Sequence, residues 1–431
     1  MYVNDAFFGA DSIEEAISLA NEFHNFLMAG GFPLRKYAAN DKRLLDHLPV
    51  EWIAEEPINN SLLSENHMLL GLIWNPKEDN FAYSSDFPEV NHPITKRKVL
   101  SLLAKLYDPL GLLSPVTIKS KMFFQSLWSY QIEENFRDST SSKRSLNWDD
   151  HLPENISKSW ESIYSDLRKV QSLSIPRWLQ CKNDSRLEIH GFSDASTKAL
   201  SAVLYLRVLL ENKSSVSIIA AKTKVAPVKS LSVPRLELCE AFLLSKLASS
   251  EQKGLNLQEI PLHLWTDSTV SLAWIQSSPH LWQTFVSHRV AEISNLVSSA
   301  NWHHVEGVMN PADIASRGVS ASELIASKLW WNGPDFLSEN AKSYQKVQSN
   351  FDISSCPERR KSAFVVNRKI SIEFSLVSQS SSFNHLIRVM AWVKRFITKS
   401  RSKASNSLFI YNHVLSAHEI LEAEILCIKL T

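Results

Sequence analysis

The sequence predicts a multidomain α/β protein whose best-defined unit is a mixed sheet flanked by helices. Three observations lead there. A length of 431 residues suggests roughly three domains at about 150 residues each. A hydrophobic content of 44% with 21% charged residues is an ordinary globular mix, with ample material for real cores. Between Leu187 and Phe336, period-two and helical-period stretches succeed one another as three strands, helix, strand, helix, helix, strand, helix.

Other bulk properties exclude more than they assign. Lys and Arg number 46 against 45 Asp and Glu, a formal net charge of +1, so any surface for a polyanion must be a local patch. The four cysteines, Cys181, Cys239, Cys356 and Cys427, form no CxxC pair. Neither a disulfide framework nor a zinc site is expected, which fits a reducing intracellular compartment, cytoplasm or nucleus. No signal peptide precedes the first helix, so secretion is not expected. No apolar run approaches a membrane span, so a membrane is not expected as a partner.

The first helix runs from Ser12 to Met28, capped by Asp11 or Ser12, with Glu14 and Glu15 in its first turn. Ile13, Ala16, Ile17, Ala20 and Phe23 recur at helical spacing, and Gly30-Gly31 stops it. Phe32–Tyr37 reads as a strand or an extended segment. Met68–Trp74 reads as one strand and Asn80–Tyr83 as a second. A helix from Thr95 to Tyr107 is broken by Asp108-Pro109-Leu110-Gly111. The next carries Ile118, Met122, Phe123 and Leu127. Lys96, Arg97, Lys98, Lys105, Lys119 and Lys121 cluster here. A solvated helix face and a contact to a nucleic-acid backbone explain them equally well. A helix is expected from Trp148 to Leu167, and polar Gln180–Ser185 is a natural boundary.

In the third unit, Leu187–Phe192, Ala199–Leu209 and Val216–Ala221 read as successive strands joined by turns. Ser232 or Val233 caps a helix with Pro234 at its start and Leu236, Cys239, Leu243 and Leu247 along its buried stripe. Pro261–Thr266 is a strand, and Ser268 caps a helix through Trp274. His280–Ser298 is amphipathic, Trp302–Val305 is the last strand, and Asn310-Pro311-Ala312-Asp313 opens the final helix. His280, Trp274 and Trp282 can stack on bases, but their spacing favours filling the core.

Four carboxylates stand at strand ends or helix starts: Asp194, Glu237, Asp267 and Asp313, spaced 43, 30 and 46 residues apart. No short motif joins them, so only a fold could. Oxygen ligands suit Mg²⁺. Two such ions about 4 Å apart can activate water and stabilise the departing 3′ oxygen of a phosphodiester. Singly, each acid has a plainer role, in a turn, on a helix surface or at a helix dipole. Glu240, one turn from Glu237, is the alternative on that helix.

Three resemblances attach to these residues. Tyr2-Val3-Asn4-Asp5, with the helix and extended segment through Tyr37, resembles the Tyr-x-Asp-Asp hairpin and primer-gripping segment of reverse transcriptases. Asn4 stands where that family has its first acid, and the fingers and earlier palm strand are expected upstream, so polymerase activity is not expected. Thr95-Lys96-Arg97, Tyr107-Asp108-Pro109-Leu110-Gly111-Leu112-Leu113-Ser114-Pro115 and Trp148-Asp149-Asp150 resemble the pol polyprotein of BEL/Pao-type LTR retrotransposons. This region bears the family name Pao retrotransposon peptidase. A peptidase is not expected, because Asp194-Ala195-Ser196 and Asp267-Ser268-Thr269 lack the Gly of an aspartic-peptidase turn. The third unit resembles retroelement RNase H domains through Phe192–Ser196, Arg235–Leu238, Trp265–Ser268, Thr284–Val290 and Asn310–Gly318.

The resemblances imply a division into a truncated palm tail and primer grip (1–75), a thumb/connection-like region (76–180), an RNase H-like domain (181–336), and a Ser-rich linker with basic helices (337–431). They imply that Asp194, Glu237 and Asp267 form the metal core, with Asp313 as fourth ligand. Two Mg²⁺ ions, with Mn²⁺ as substitute, and an RNA–DNA hybrid are the implied cofactor and partner, alongside other parts of the polyprotein. Arg235 and Lys96, Arg97 and Lys98 are weaker candidates for nucleic-acid contact. The family's His before the last acid has no counterpart in Glu306–Met309; His303 and His304 are placed on the preceding strand instead. Residues 341–431 carry 14 Lys and Arg against 6 Asp and Glu, a balance of +8, and expected helices at Phe383–Ile397 and His418–Leu430. This pair resembles the lead-in to an integrase zinc-binding module, a link to DNA integration, whose His and Cys ligands do not appear before Thr431. Three functions follow: an RNase H-type endonuclease, a catalytically idle nucleic-acid-binding relic, and, least, the peptidase of the family name.

Overall fold

The computed structural model describes residues 6–53, 67–69, 72–83, 87–135, 141–182, 184–210, 214–338, 356–360, 382–401 and 414–430. The motif Tyr2-Val3-Asn4-Asp5 lies outside them. The chain divides into one unit over residues 1–360 and a second over 361–431.

In the first unit, α1 (Ile13–Ala29) begins as expected, with Ser12 accepting from the Glu15 amide. Phe32–Tyr37 forms no strand; Tyr37 makes only an isolated bridge to Ile53. The stretch expected as a single strand is two, β1 (His67–Leu69) and β2 (Leu72–Asn75), which pair antiparallel with Leu69 opposite Leu72. A continuous apolar run gives no sign of where it folds back. β2 continues into β3 (Asn80–Tyr83), so the expected division after residue 75 falls in the turn of a hairpin.

Thr95 caps α2 (Lys96–Leu103), and α3 (Ser114–Ser129) follows. β4 (Gln131–Asn135) and β5 (Ser141–Ser145) form a two-stranded ribbon. The next helix, α4 (Glu154–Arg168), starts later than its expected Trp148. Asp150 accepts from the Asn147 amide, which closes a turn, and Pro153 then sets the helix start. β6 (Ile175–Pro176) joins β3 at the edge of the first sheet.

The second sheet has the expected succession of elements. β7 (Arg186–Ala195), β8 (Ala199–Leu209) and β9 (Ser214–Val225) form an antiparallel meander. α5 (Val233–Gly254) crosses to β10 (Leu262–Thr266), which lies parallel to β7. After α6 (Thr269–Gln276) and α7 (Thr284–Leu296), β11 (Asn301–His304) lies parallel to β10. The order is β11-β10-β7-β8-β9, and α8 (Pro311–Arg317) follows. α7 is shorter than expected because Trp282 and Gln283 are extended, Trp282 bridging to Arg359.

Side chains alternate across β7. Ile189 joins a core with Leu204, Leu244, Leu264 and Trp274, under α5–α7. Phe192, on the other face, joins a core with Val203, Tyr205 and Trp265. That second core also takes in Leu113, which precedes α3, Val116 and Leu127 of α3, and Trp160 of α4. It therefore runs across the expected boundary at residue 180. A Cβ at Gly191 would lie 2.8 Å from each of Leu204, Leu244 and Leu264, which explains a glycine in mid-strand. The Asp108–Gly111 break lies on the sheet's edge: the Leu110 carbonyl accepts from the Ala221 amide at 2.8 Å. Gly111 has φ +72°, and a Cβ there would come 1.8 Å from the Ala221 oxygen.

The second unit is a pair of helices, α9 (Phe383–Arg401) and α10 (Ala417–Leu430), close to those expected. Leu386, Ile387 and Met390 pack against Ala423 and Cys427, with Lys394 paired to Glu422 at 2.9 Å.

Candidate catalytic carboxylate site

Asp194 is the penultimate residue of β7 and is 6% exposed. β10 runs parallel beside it with Thr266 opposite Ser193, so Asp267, one residue further, emerges next to Asp194. Parallel neighbours bring their carboxyl ends to one edge, where sites in α/β sheets form.

Two helices complete the set. Asn310 caps α8 by accepting from the Ala312 amide, and its side-chain amide donates to the Ser193 carbonyl at 2.8 Å. The Ser316 hydroxyl, in the same helix, donates to Asp194 Oδ2. Asp313, in the first turn of α8, is thereby held beside the end of β7. Across the site, Ser268 caps α6, and its hydroxyl donates to Glu237 Oε2 at 2.5 Å. That contact ties the first turns of α5 to the residue following Asp267.

The acids act on one another. Burial pushes the Asp194 carboxyl up to about 6, with repulsion from Asp267 and Asp313 adding to it and the Ser316 hydrogen bond opposing. Burial likewise raises Asp267, helped by Glu237 and Asp313, and raises Glu237, helped by Asp194. Asp313 forms an ion pair with Arg317 at 2.6 Å. The structure thus brings all four expected acids to one end of the sheet.

Glu240 belongs to the same field. It is fully buried, and Oε1 accepts from the Thr266 hydroxyl at 3.3 Å. Oε2 has no partner among the described residues. Burial raises its carboxyl well above the usual range, with Asp194, Asp267 and Glu237 adding to the shift. Glu240 is fully buried, whereas Glu237 is half-buried.

The donor set is all carboxylate oxygen, the kind hard divalent cations take, and a cation would relieve its repulsion. Among the described residues, however, no three His, Cys, Asp or Glu already stand as a metal-binding group. Asp194, Glu237 and Asp313 are engaged by Ser316, Ser268 and Arg317 instead. The residue types fit such an ion; side-chain rotation away from these donors would have to accompany it.

His304 contacts the Asp267 carbonyl at 3.2 Å, and His303 is buried with its ring stacked on Trp265 at 4.5 Å. Glu306–Met309 passes close to Asp267: a Cβ at Gly307 would lie 3.5 Å from Asp267 Oδ2. Trp274 and Trp282 are fully buried, the core role their spacing favoured, whereas His280 is exposed.

The basic candidates are engaged within the chain. Lys96 is 2% exposed; its ammonium donates to the Leu146 carbonyl at 2.7 Å and lies over the Trp128 ring. Arg97 pairs with Asp149, and Lys98 donates to the Asn91 and Pro93 carbonyls. Arg235 pairs with Glu358 at 2.8 Å and lies over the Phe285 ring. Sequence reasoning did not single out Asn310 and Ser316 for these roles. Asn before Pro at a helix start was the available signal for the first; nothing local marks the second.

Residues 95–268 match the family described as Pao retrotransposon-like RNaseH-like domain. The Pao-family match holds Asp194, Glu237 and Asp267 and ends before Asp313. It also begins at Thr95, so it includes the helices that share the core of the second sheet. No curated protein matches the chain. Among solved structures, a foamy viral protease-reverse transcriptase in complex with RNA/DNA hybrid is 14% identical, with 57% of this chain and 30% of that one covered at a TM-score of 0.33. RNase H1 from Halobacterium salinarum NRC-1 is 13% identical, with 30% of this chain and 90% of that one covered at 0.20. LC11-RNase H1 in complex with RNA/DNA hybrid is 12% identical, over 30% and 91%, at 0.23. The chain therefore spans less than a third of the foamy viral protein. At these scores the likenesses carry no argument; the fold rests on the α/β sheet order itself. No helix among the described residues is long and apolar enough to cross a membrane.

Proposed function

We propose that the sheet unit, residues 181–336, is an RNase H-type endonuclease that cleaves the RNA strand of RNA–DNA hybrids within a retrotransposon pol protein. Asp194, Glu237, Asp267 and Asp313 would hold two Mg²⁺ ions, or Mn²⁺ in their place. Ions bound there supply the activation of water and the stabilisation of the departing 3′ oxygen.

The chain's own residues set the conditions. Asp194 and Asp267 are fixed by parallel strands, and Asp313 by the Asn310 and Ser316 contacts of α8. Positions so fixed lose little freedom on binding, which favours a preorganised site. Arg317 and Ser268 neutralise or satisfy Asp313 and Glu237 while no counter-charge is present. Selection for RNA would come from contact with 2′-hydroxyls across a shallow minor groove.

The observation that carries the reading is the convergence of Asp194, Glu237 and Asp267, carboxylates distant in sequence, on one sheet end, where burial first and neighbouring acids second raise their carboxyls. A stabilising network would pair such acids with cations; among the described residues Asp313 alone of the four forms an ion pair. The second reading, a binding protein without catalysis, is favoured by those same local engagements of the acids.

A labelled RNA–DNA hybrid, incubated with the protein and Mg²⁺, tests both. The nuclease reading expects RNA fragments from the wild type and none from Asp194→Asn. Binding without cleavage leaves the second reading; cleavage unchanged in the variant sinks the first.

A further inference from the structure

Beyond the sheet unit's last helices, residues Cys356–Arg360 lie against α5, α6 and α7, and contacts along this stretch fix it. Cys356 is 4% exposed within the core of that face. The Pro357 carbonyl accepts from the Trp274 indole at 3.0 Å. The Glu358 carbonyl accepts from the Gln283 amide at 2.7 Å, and the Arg360 amide donates to Leu281 at 2.8 Å. Arg359 bridges Trp282 antiparallel. The strap is seated by its backbone.

Its one carboxylate is seated less well. Glu358 Oε1 accepts from Arg235 Nε at 2.8 Å, while Oε2 is buried with no partner among the described residues. Glu358 also has φ +62°, a left-handed conformation uncommon for a residue with a Cβ. A half-satisfied buried carboxylate on a left-handed residue costs free energy, which the Arg235 contact offsets in part.

Arg235 stands two residues before Glu237 on α5, and its guanidinium lies 4.7 Å from the Phe285 ring centroid. Arg289 lies over the same ring at 3.6 Å, its Nε buried without a partner among the described residues. Two guanidiniums therefore meet one ring, and among the described residues the carboxylate paired with Arg235 comes from the strap. A planar guanidinium takes a carboxylate or a phosphate through the same fork.

We propose that Glu358 occupies, at Arg235, the place of a nucleic-acid backbone phosphate, so that strap and phosphodiester compete for one guanidinium. The inference rests on the nucleic-acid reading above. It makes the strap a built-in brake on binding next to the helix turn that carries Glu237. A phosphodiester brings two non-bridging oxygens and its own solvation, and it releases the poorly satisfied Glu358 side chain to water.

Fluorescence anisotropy with a labelled RNA–DNA hybrid, full chain and no divalent metal, tests this across a salt series. Glu358→Gln is expected to bind about threefold to tenfold tighter at low salt, with the slope of log affinity against log salt steeper by about one. Arg235→Ala is expected to weaken binding, and the double variant to match Arg235→Ala alone. Glu358→Ala serves in the same role if melting shows that the glutamine unsettles the strap. Unchanged affinity and slope in both Glu358 variants overturns the inference and leaves hybrid binding standing. Equal tightening with Arg235 removed also overturns it, since a general charge effect then suffices. If neither the wild type nor any variant binds hybrid, the nucleic-acid reading falls with it.

Discussion

The Ser316 hydroxyl donates to a carboxylate oxygen of Asp194, joining residues 122 positions apart. The same hydroxyl lies 3.2 Å from the Asp313 carbonyl, and the Ser316 carbonyl accepts from Ser196 at 2.9 Å. One small side chain thus fixes α8 to the end of the sheet unit's first strand.

The first prediction concerns pH. An unfolded Asp titrates near 3.8, and folded Asp194 at about 6. Between those values the folded state holds the proton more tightly. Stability of the metal-free protein therefore falls as pH rises through that window, by about 3 kcal/mol for this group, and levels off above it. Glu237 and Asp267 add in the same direction. Urea unfolding between pH 4 and 7 in EDTA checks the slope. Millimolar Mg²⁺ should restore stability at pH 7 and have little effect at pH 4.

The second concerns Asn310, which is 1% exposed and makes both the cap of α8 and the bond to Ser193. Asn310→Ala should cost about 2 kcal/mol, the sum of a lost cap and a lost buried hydrogen bond. Cleavage should fall further than stability alone explains, because Asp313 loses its placement. Denaturation midpoints and hybrid-cleavage rates measured side by side separate the two effects.

The third separates two glutamates on one helix. Glu240→Gln keeps the shape of a buried carboxyl whose charged form burial and the neighbouring acids disfavour, so cleavage should stay within about threefold and neutral-pH stability should not drop. Glu237→Gln should reduce cleavage by at least about a hundredfold, the loss typical of disturbing a metal site. Comparable losses from the two would reassign the helix's ligand to Glu240.

The fourth concerns the sheet's edge. Gly111→Ala places a methyl against the Ala221 carbonyl in a left-handed conformation, and should cost about 3 kcal/mol or more. Trp330, whose indole donates to the Leu112 carbonyl at 2.9 Å, reports the change by fluorescence.

How far the sequence could reach is visible residue by residue. The strands of the meander were legible because period-two patterning and turn residues bound them, and the acids because each followed such a strand or opened a helix. β1 and β2 were not, because apolar Met68–Trp74 carries the same pattern whether straight or folded back. Lys96 was not, because a buried ammonium depends on Leu146 being near, 50 positions away. The strap was not, because its Glu358 meets Arg235 across 123 positions. Local periodicity reports the elements; the partners of polar side chains come from tertiary proximity.

The contact of Leu110 with Ala221 bears on how the chain could be shortened. β9 is an outer strand, and an outer strand left bare invites pairing with another molecule's backbone. The Asp108–Gly111 turn and α3 shield that rim, and Leu113, Val116 and Leu127 fill the core beneath it. A trimmed protein starting at residue 181 would keep every candidate acid yet present a sticky margin and a hollowed interior. Cutting before Thr95 keeps the turn and α3 but strips Leu72, Tyr83, Phe87 and Ile94 from the same core, along with the Tyr83 hydroxyl that donates to Asp108 at 2.7 Å, so a piece with its interior whole starts ahead of Leu72, far from the first catalytic candidate.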